Sequence, residues 1–119
     1  MDAVVLSIGT ELVDGHLTDT NATFLAQELA SLGIRLKWVT QVGDELDTIV
    51  RVLRRAWEDA TLIVTTGGIG PTEDDLTREA IATLLGEPLT VDPELAERIR
   101  AFFAARGLVM PERNVKQAY

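Results

Sequence analysis

Two stretches of this sequence are apolar on both faces, and any fold it adopts must cover each of them from two sides. Ala3 to Ile8 is a nearly unbroken apolar run ended by Gly9, and Leu62 to Thr66 is a second run ended by Gly67. Short runs of this kind, without alternation, are expected of strands buried on both faces of a parallel sheet. Arg35 to Val42 mixes polar and apolar residues, with Leu36, Trp38 and Val42 assigned to one face and Lys37 and Gln41 to the other. That pattern predicts an edge strand.

Helical patterns separate the strands. Phe24, Leu25, Leu29 and Leu32 recur at three-to-four spacing and stop at Gly33, a residue suited to the left-handed turn that ends a helix. A second helix is expected after Asp44, its candidate N-cap, with Ile49, Val50, Leu53, Ala56 and Trp57 inward. A third is predicted from about Asp74 to Leu85, burying Leu76, Ile81, Leu84 and Leu85 before Gly86. A fourth begins at Asp92-Pro93, is expected to bury Leu95, Ile99, Phe102 and Phe103, and stops at Gly107. Leu89 to Val91 is read as a short strand, and Gly107 to Tyr119 as a loop.

Strand, helix, strand, helix, strand, helix with right-handed crossovers gives a doubly wound α/β layout, its parallel sheet covered on both faces. With the edge-like second strand outside the first and the third on the first strand's other side, the order begins 2-1-3. The reversal between strands one and three is where ligands bind in such sheets. No repeat or linker divides the 119 residues, so a single domain over residues 1–119 is expected. Its sheet is expected to be completed by residues beyond Tyr119.

Composition narrows the chemistry. There is no cysteine and one histidine, which excludes disulfides, thiolate metal sites and Ser-His or multi-His arrangements within this chain. A formal net charge of −8 disfavours nucleic acid as a partner. No apolar run approaches the ~20 residues of a membrane span and the start lacks a signal peptide's basic residues, so a cytoplasmic location and no membrane partner are expected.

The segment Thr65-Thr66-Gly67-Gly68-Ile69-Gly70-Pro71-Thr72-Glu73-Asp74-Asp75-Leu76-Thr77 lies between a strand and a helix start. Its glycine amides suit an anion nest, and the helix start favours an anion by ~0.3–1 kcal/mol at an exposed site. It is neither a P-loop nor the Gly-x-Gly-x-x-Gly of dinucleotide folds. The competing reading is a turn with Thr72 or Asp74 as N-cap. A second polar segment follows strand one, in which Thr10, Glu11, Asp19, Thr20 and Asn21 offer hydroxyls, carboxylates and an amide suited to ribose, phosphate or a heterocycle edge. There the competing reading has Asp19 or Thr20 capping the first helix. His16 is read as a loop side chain. Asp44 is expected on the same edge of the sheet. Glu11, Asp44, Asp74 and Asp75 near a phosphate site would repel it, a conflict that a hard divalent cation resolves.

Ser7-Ile8-Gly9-Thr10-Glu11-Leu12, Asp19-Thr20-Asn21 and Thr66-Gly67-Gly68-Ile69-Gly70-Pro71-Thr72-Glu73-Asp74-Asp75-Leu76-Thr77 together resemble the amino-terminal domain of the CinA family of competence/damage-inducible proteins. The resemblance runs the full length, through Asn114 and Gln117-Ala118. It implies a molybdopterin-binding-like fold shared with MogA, MoeA and gephyrin, a three-layer α/β/α sandwich with a mainly parallel sheet that commonly oligomerises as dimers or trimers. It also implies Asp44 and Asp75 as the catalytic and metal-holding positions. Gly9, Thr10, Glu11, Asp19, Asn21, Thr66, Gly67, Gly68, Gly70, Thr72 and Thr77 are the expected ligand-binding residues. The implied activity is metal-dependent hydrolysis of ADP-ribose with Mg²⁺ or Co²⁺. Two alternatives stay open: molybdopterin binding for adenylyl transfer, and a non-catalytic nucleotide-binding or oligomerisation module. Nothing in the sequence resembles the deamidase domain associated with the family.

Overall fold

The structure is a computed structural model that describes residues 1–10 and 20–119. Three strands, β1 (Asp2–Ile8), β2 (Arg35–Val42) and β3 (Leu62–Thr66), form a parallel sheet in the order β2-β1-β3. Around it lie α1 (Thr20–Ser31), α2 (Leu46–Asp59), α3 (Thr77–Leu85) and α4 (Pro93–Ala104), followed by a terminal 3-10 helix (Glu112–Ala118). The α/β class and the 2-1-3 order match the expectation from the sequence.

Strand β1 is central, and every residue from Ala3 to Ile8 is buried. Side chains alternate across a strand, so it feeds two separate cores. Val4, Leu6 and Ile8 pack with Ile49, Val50, Leu53 and Ala56 of α2 and Ala80 of α3. Ala3 and Val5 pack with Leu29 of α1 on the other face. Helices therefore cover both faces. The sequence predicts β3 to be buried as fully as β1, but all its residues are half-buried. It lies at the end of the sheet, with β1 as its pairing neighbour among the described residues.

Leu36 and Trp38 do not share a face. Ala3 pairs with Leu36 and Val4 with Trp38, so Lys37 is an extra residue in β2. A bulge of this kind resets the alternation. Leu36 joins the α1-side core, while Trp38 joins the α2-side core. The Trp38 indole N–H donates to Asp59 Oδ2 at 2.9 Å, and Lys37 Nζ reaches Asp59 O at 3.1 Å.

Helix boundaries follow the sequence signals unevenly. Asp92 caps α4 through its side chain, accepting from Glu94 N and Leu95 N, with Pro93 in the first turn. Gly33, Gly86 and Gly107 all adopt positive φ after helices. Asp44, by contrast, is not the cap of α2; Glu45 holds that position without a side-chain bond to the helix amides. Helix α3 begins at Thr77 rather than near Asp74, because residues 72–75 form a turn of their own. Neither Thr72 nor Asp74 caps it.

Several expected core residues are exposed: Phe24, Leu32, Trp57, Ile81, Leu85, Leu95 and Phe102. Trp57 stands in the last turn of α2 beside Leu84 and Leu85 at the end of α3, where helix ends alone are too small to cover an indole. Helix α4 rests on the terminal 3-10 helix through small residues, with Ala96, Asn114 and Ala118 buried. Residues 89–91 are not a strand, and the stretch expected as a loop contains that 3-10 helix. No helix among the described residues is long and apolar enough to cross a membrane.

Candidate functional site

Parallel pairing in register brings the carboxyl ends of all three strands to one edge. Ser7 lies opposite both Gln41 and Thr66, so the chain leaves the sheet at Gly9, Gly43 and Gly67 within one residue of the same level. Gly9 N donates to Val42 O at 2.8 Å, which continues the ladder into the first loop. Thr10 then bonds to the loop after β2. Its backbone N–H and its Oγ1 both donate to Asp44 Oδ2, at 3.2 and 2.9 Å, and Asp44 N returns a bond to Thr10 Oγ1 at 3.2 Å. These three bonds lock two loops together and explain why Asp44 is not a helix cap.

The third loop folds against β1 and α3. Gly67 and Gly68 adopt φ of +85° and +68°. A Cβ on Gly67 would lie 2.1 Å from Ile8 O, and one on Gly68 would lie 2.1 Å from Thr77 Oγ1. A Cβ on Gly70 would meet Asp75 Oδ2 at 2.7 Å. Each glycine thus answers to a close approach within the chain itself.

What makes the turn unusual is where its carbonyls go. Gly67 O accepts from Thr77 Oγ1 at 2.8 Å and Gly68 O from Thr77 N at 3.1 Å. Arg78 donates to Ile69 O at 2.6 Å and to Gly70 O. Four consecutive carbonyls are therefore held by the start of α3. The amides of Gly67, Gly68 and Ile69 donate to no backbone carbonyl among the described residues. A run of peptide units with its oxygens held on one side and its N–H groups unengaged is the arrangement an anion nest requires.

Asp75 closes the loop. Its Oδ2 accepts from Thr72 N at 2.9 Å and from Thr72 Oγ1 at 2.6 Å. The Thr72 hydroxyl foremost holds this carboxyl below its ordinary value; burial, the next effect in size, opposes it, and the Thr72 and Gly70 amides and the positive charge of Lys116 add to the lowering. Lys116 Nζ also donates to Thr72 O at 2.7 Å and pairs with Glu79 at 3.2 Å.

Of the residues expected from the sequence, Gly9, Thr10, Asp44, Thr66, Gly67, Gly68, Gly70, Thr72, Asp75 and Thr77 belong to these three loops and the strand ends that carry them. Asn21 is exposed in the first turn of α1. Glu11, His16 and Asp19 lie outside the described residues. Among the described residues, no group of three or more His, Asp or Glu side chains is placed to hold a metal ion. Sequence reasoning misses Arg78 and Lys116. Arg78 does leave a trace in the sequence, since a cation in the first turn of a helix opposes the dipole and calls for another partner.

Residues 4–118 match the family described as a probable molybdopterin binding domain. The chain belongs to that family. A crystal structure of the protein CinA, of unknown function, from Thermoplasma acidophilum superposes with a TM-score of 0.88 at 32% identity, covering 99% of this chain and 69% of that one. The CinA-type branch of the molybdopterin-binding domains is thereby indicated. A CinA-like protein of Thermomicrobium roseum is 85% identical over 118 residues, which are 99% of this chain and 29% of that protein. The chain therefore spans about three-tenths of the length of that curated relative. A crystal structure of the molybdopterin biosynthesis enzyme MoaB from Thermus thermophilus shares the fold, with a TM-score of 0.65 at 28% identity over 98% of this chain and 70% of that one.

Proposed function

We propose that this molybdopterin-binding-type domain takes a phosphate-bearing nucleotide at the carboxyl edge of its sheet and hydrolyses the pyrophosphate of ADP-ribose with a divalent cation. The observation that carries the reading is the turn from Gly67 to Gly70, whose four carbonyls are held by Thr77 and Arg78. The unengaged amides of Gly67, Gly68 and Ile69 suit a phosphate in a protein whose net charge of −8 otherwise repels one. The choice of ADP-ribose comes from the resemblance to CinA-type domains.

The donors at this edge suit a hard cation in a limited way. Asp44 uses Oδ2 for both bonds from Thr10, which leaves Oδ1 as an oxygen ligand. Mg²⁺ is commonly held by one or two carboxylates together with substrate phosphates and water, so a third side chain is not needed. When bound, the cation would polarise the phosphoryl group and offset its charge. Asp44 would hold it, with Thr10 fixing the carboxylate. The Gly67, Gly68 and Ile69 amides would position phosphate, and Asp75, engaged by Thr72 and the Gly70 amide, would keep the loop in shape and orient water. The balanced reaction consumes ADP-ribose and water and yields AMP and ribose 5-phosphate.

With Mg²⁺ or Co²⁺ present, AMP release from ADP-ribose is expected to fall by about 100-fold or more in Asp44→Asn. Chelation by EDTA should abolish it in the parent chain. Equal turnover in Asp44→Asn removes the assignment. A second reading, molybdopterin as the ligand, is favoured by the likeness to the MoaB structure. Calorimetric titration of the same chain with molybdopterin and with ADP-ribose separates the two by affinity.

A further inference from the structure

Lys116 stands out among the groups that the proposed function leaves unused. It lies in the terminal 3-10 helix, 44 residues from Thr72 in sequence, and its side chain is only 15% exposed. A lysine this covered needs partners for its charge. It has two: the carboxylate of Glu79 in α3, at 3.2 Å, and the carbonyl of Thr72, at 2.7 Å.

Thr72 is consequently gripped through both peptide units that flank it. Its N–H and hydroxyl are held by Asp75 Oδ2, while its carbonyl accepts from Asp75 N at 3.2 Å as well as from Lys116. Asp75 in turn packs against Gly70, the last residue of the anion turn. We propose that Lys116 is a positioning residue for the phosphate site, fixing the Thr72 peptide and through it the Asp75 carboxylate that shapes the glycine turn. The inference rests on the proposed phosphate-binding role of that turn. It also joins the terminal helix to the site, a connection that neither the fold nor the family match assigns to any residue.

The test uses Lys116→Met in the same chain, read by backbone amide NMR and by calorimetric titration with ADP-ribose. Amides from Gly67 to Asp75 are expected to shift while those of β1 stay in place, and the affinity should fall about tenfold, the scale of one lost charge-assisted bond. Lys116→Arg should recover most of it. Gly33→Ala, which strains the left-handed turn before β2 at the opposite edge of the sheet, serves as a control for stability loss alone and should leave the affinity unchanged. Unmoved turn amides in Lys116→Met overturn the inference, as does an equal loss of affinity in Gly33→Ala. Should Lys116→Met fail to fold, the side-chain ammonium resonance of Lys116 in the parent chain takes its place. That resonance should respond to ADP-ribose at the same concentrations as the turn amides, and silence there overturns the inference. A parent chain that binds no ADP-ribose sinks the proposed function instead, and the amide shifts still decide whether Lys116 sets the turn.

Discussion

Gly68 and Gly86 share a φ of +68°, yet they do not tolerate a side chain equally. A Cβ at Gly86 meets nothing within 4 Å, so Gly86→Ala costs only the left-handed backbone, about 1–2 kcal/mol. At Gly68 the added carbon falls on Thr77 Oγ1, so Gly68→Ala should cost roughly 3 kcal/mol or more, through strain plus overpacking. Urea midpoints of the two variants check the difference, and equal shifts would contradict the geometry. Asp75 gives a residue-level prediction in pH. Its carboxyl is held below the ordinary 3.8, chiefly by the Thr72 hydroxyl, so its folded value lies under its unfolded one. The stabilisation is then fully present above about pH 5 and is lost as pH falls through the depressed value. Asp75→Asn should be less stable than the parent chain at neutral pH, and the gap should narrow in acid unfolding below 3.8.

Elements are legible where a local rule decides them and obscure where a neighbour does. Asp92-Pro93 marks the start of α4 because capping is settled within four residues, and Gly33 and Gly86 mark helix ends for the same reason. Asp44 misleads because the same carboxylate suits a cap and a tertiary bond, and Thr10, 34 residues away, wins. The bulge at Lys37 leaves no mark in hydrophobic spacing, so spacing alone puts Trp38 on the same face as Leu36. The terminal 3-10 helix has too few turns to show a period, and its order comes from contact with α4 and the loop at Thr72. The site is legible as strand ends carrying glycine, threonine and aspartate, but the holding of carbonyls by Arg78 needs coordinates. Within α2 the buried stripe separates from the exposed ring. Leu53→Ala, at a position 2% exposed, should cost about 2–5 kcal/mol, whereas Trp57→Ala should stay within about 0.5 kcal/mol by chemical denaturation.

At the scale of the whole molecule, the chain is more extended than its length requires. Its radius of gyration is 15.9 Å and its extents are 44 × 30 × 30 Å, against about 13.5 Å for a compact chain of this length. The sheet with α1, α2 and α3 carries the two cores, while α4 and the terminal helix pack chiefly on each other. Amide hydrogen exchange should therefore rank β1 and α2 as the most protected segments and α4 as markedly faster, because local opening follows the apolar surface that holds a segment. Equal protection across both would contradict this division. The bulge matters at this scale too. It falls between Ala3 and Val4, at the foot of the sheet, while pairing from Val4 to Ile8 stays regular. Any mismatch in strand length is thus absorbed at the floor of the molecule, and the rim on which a ligand would rest is kept flush.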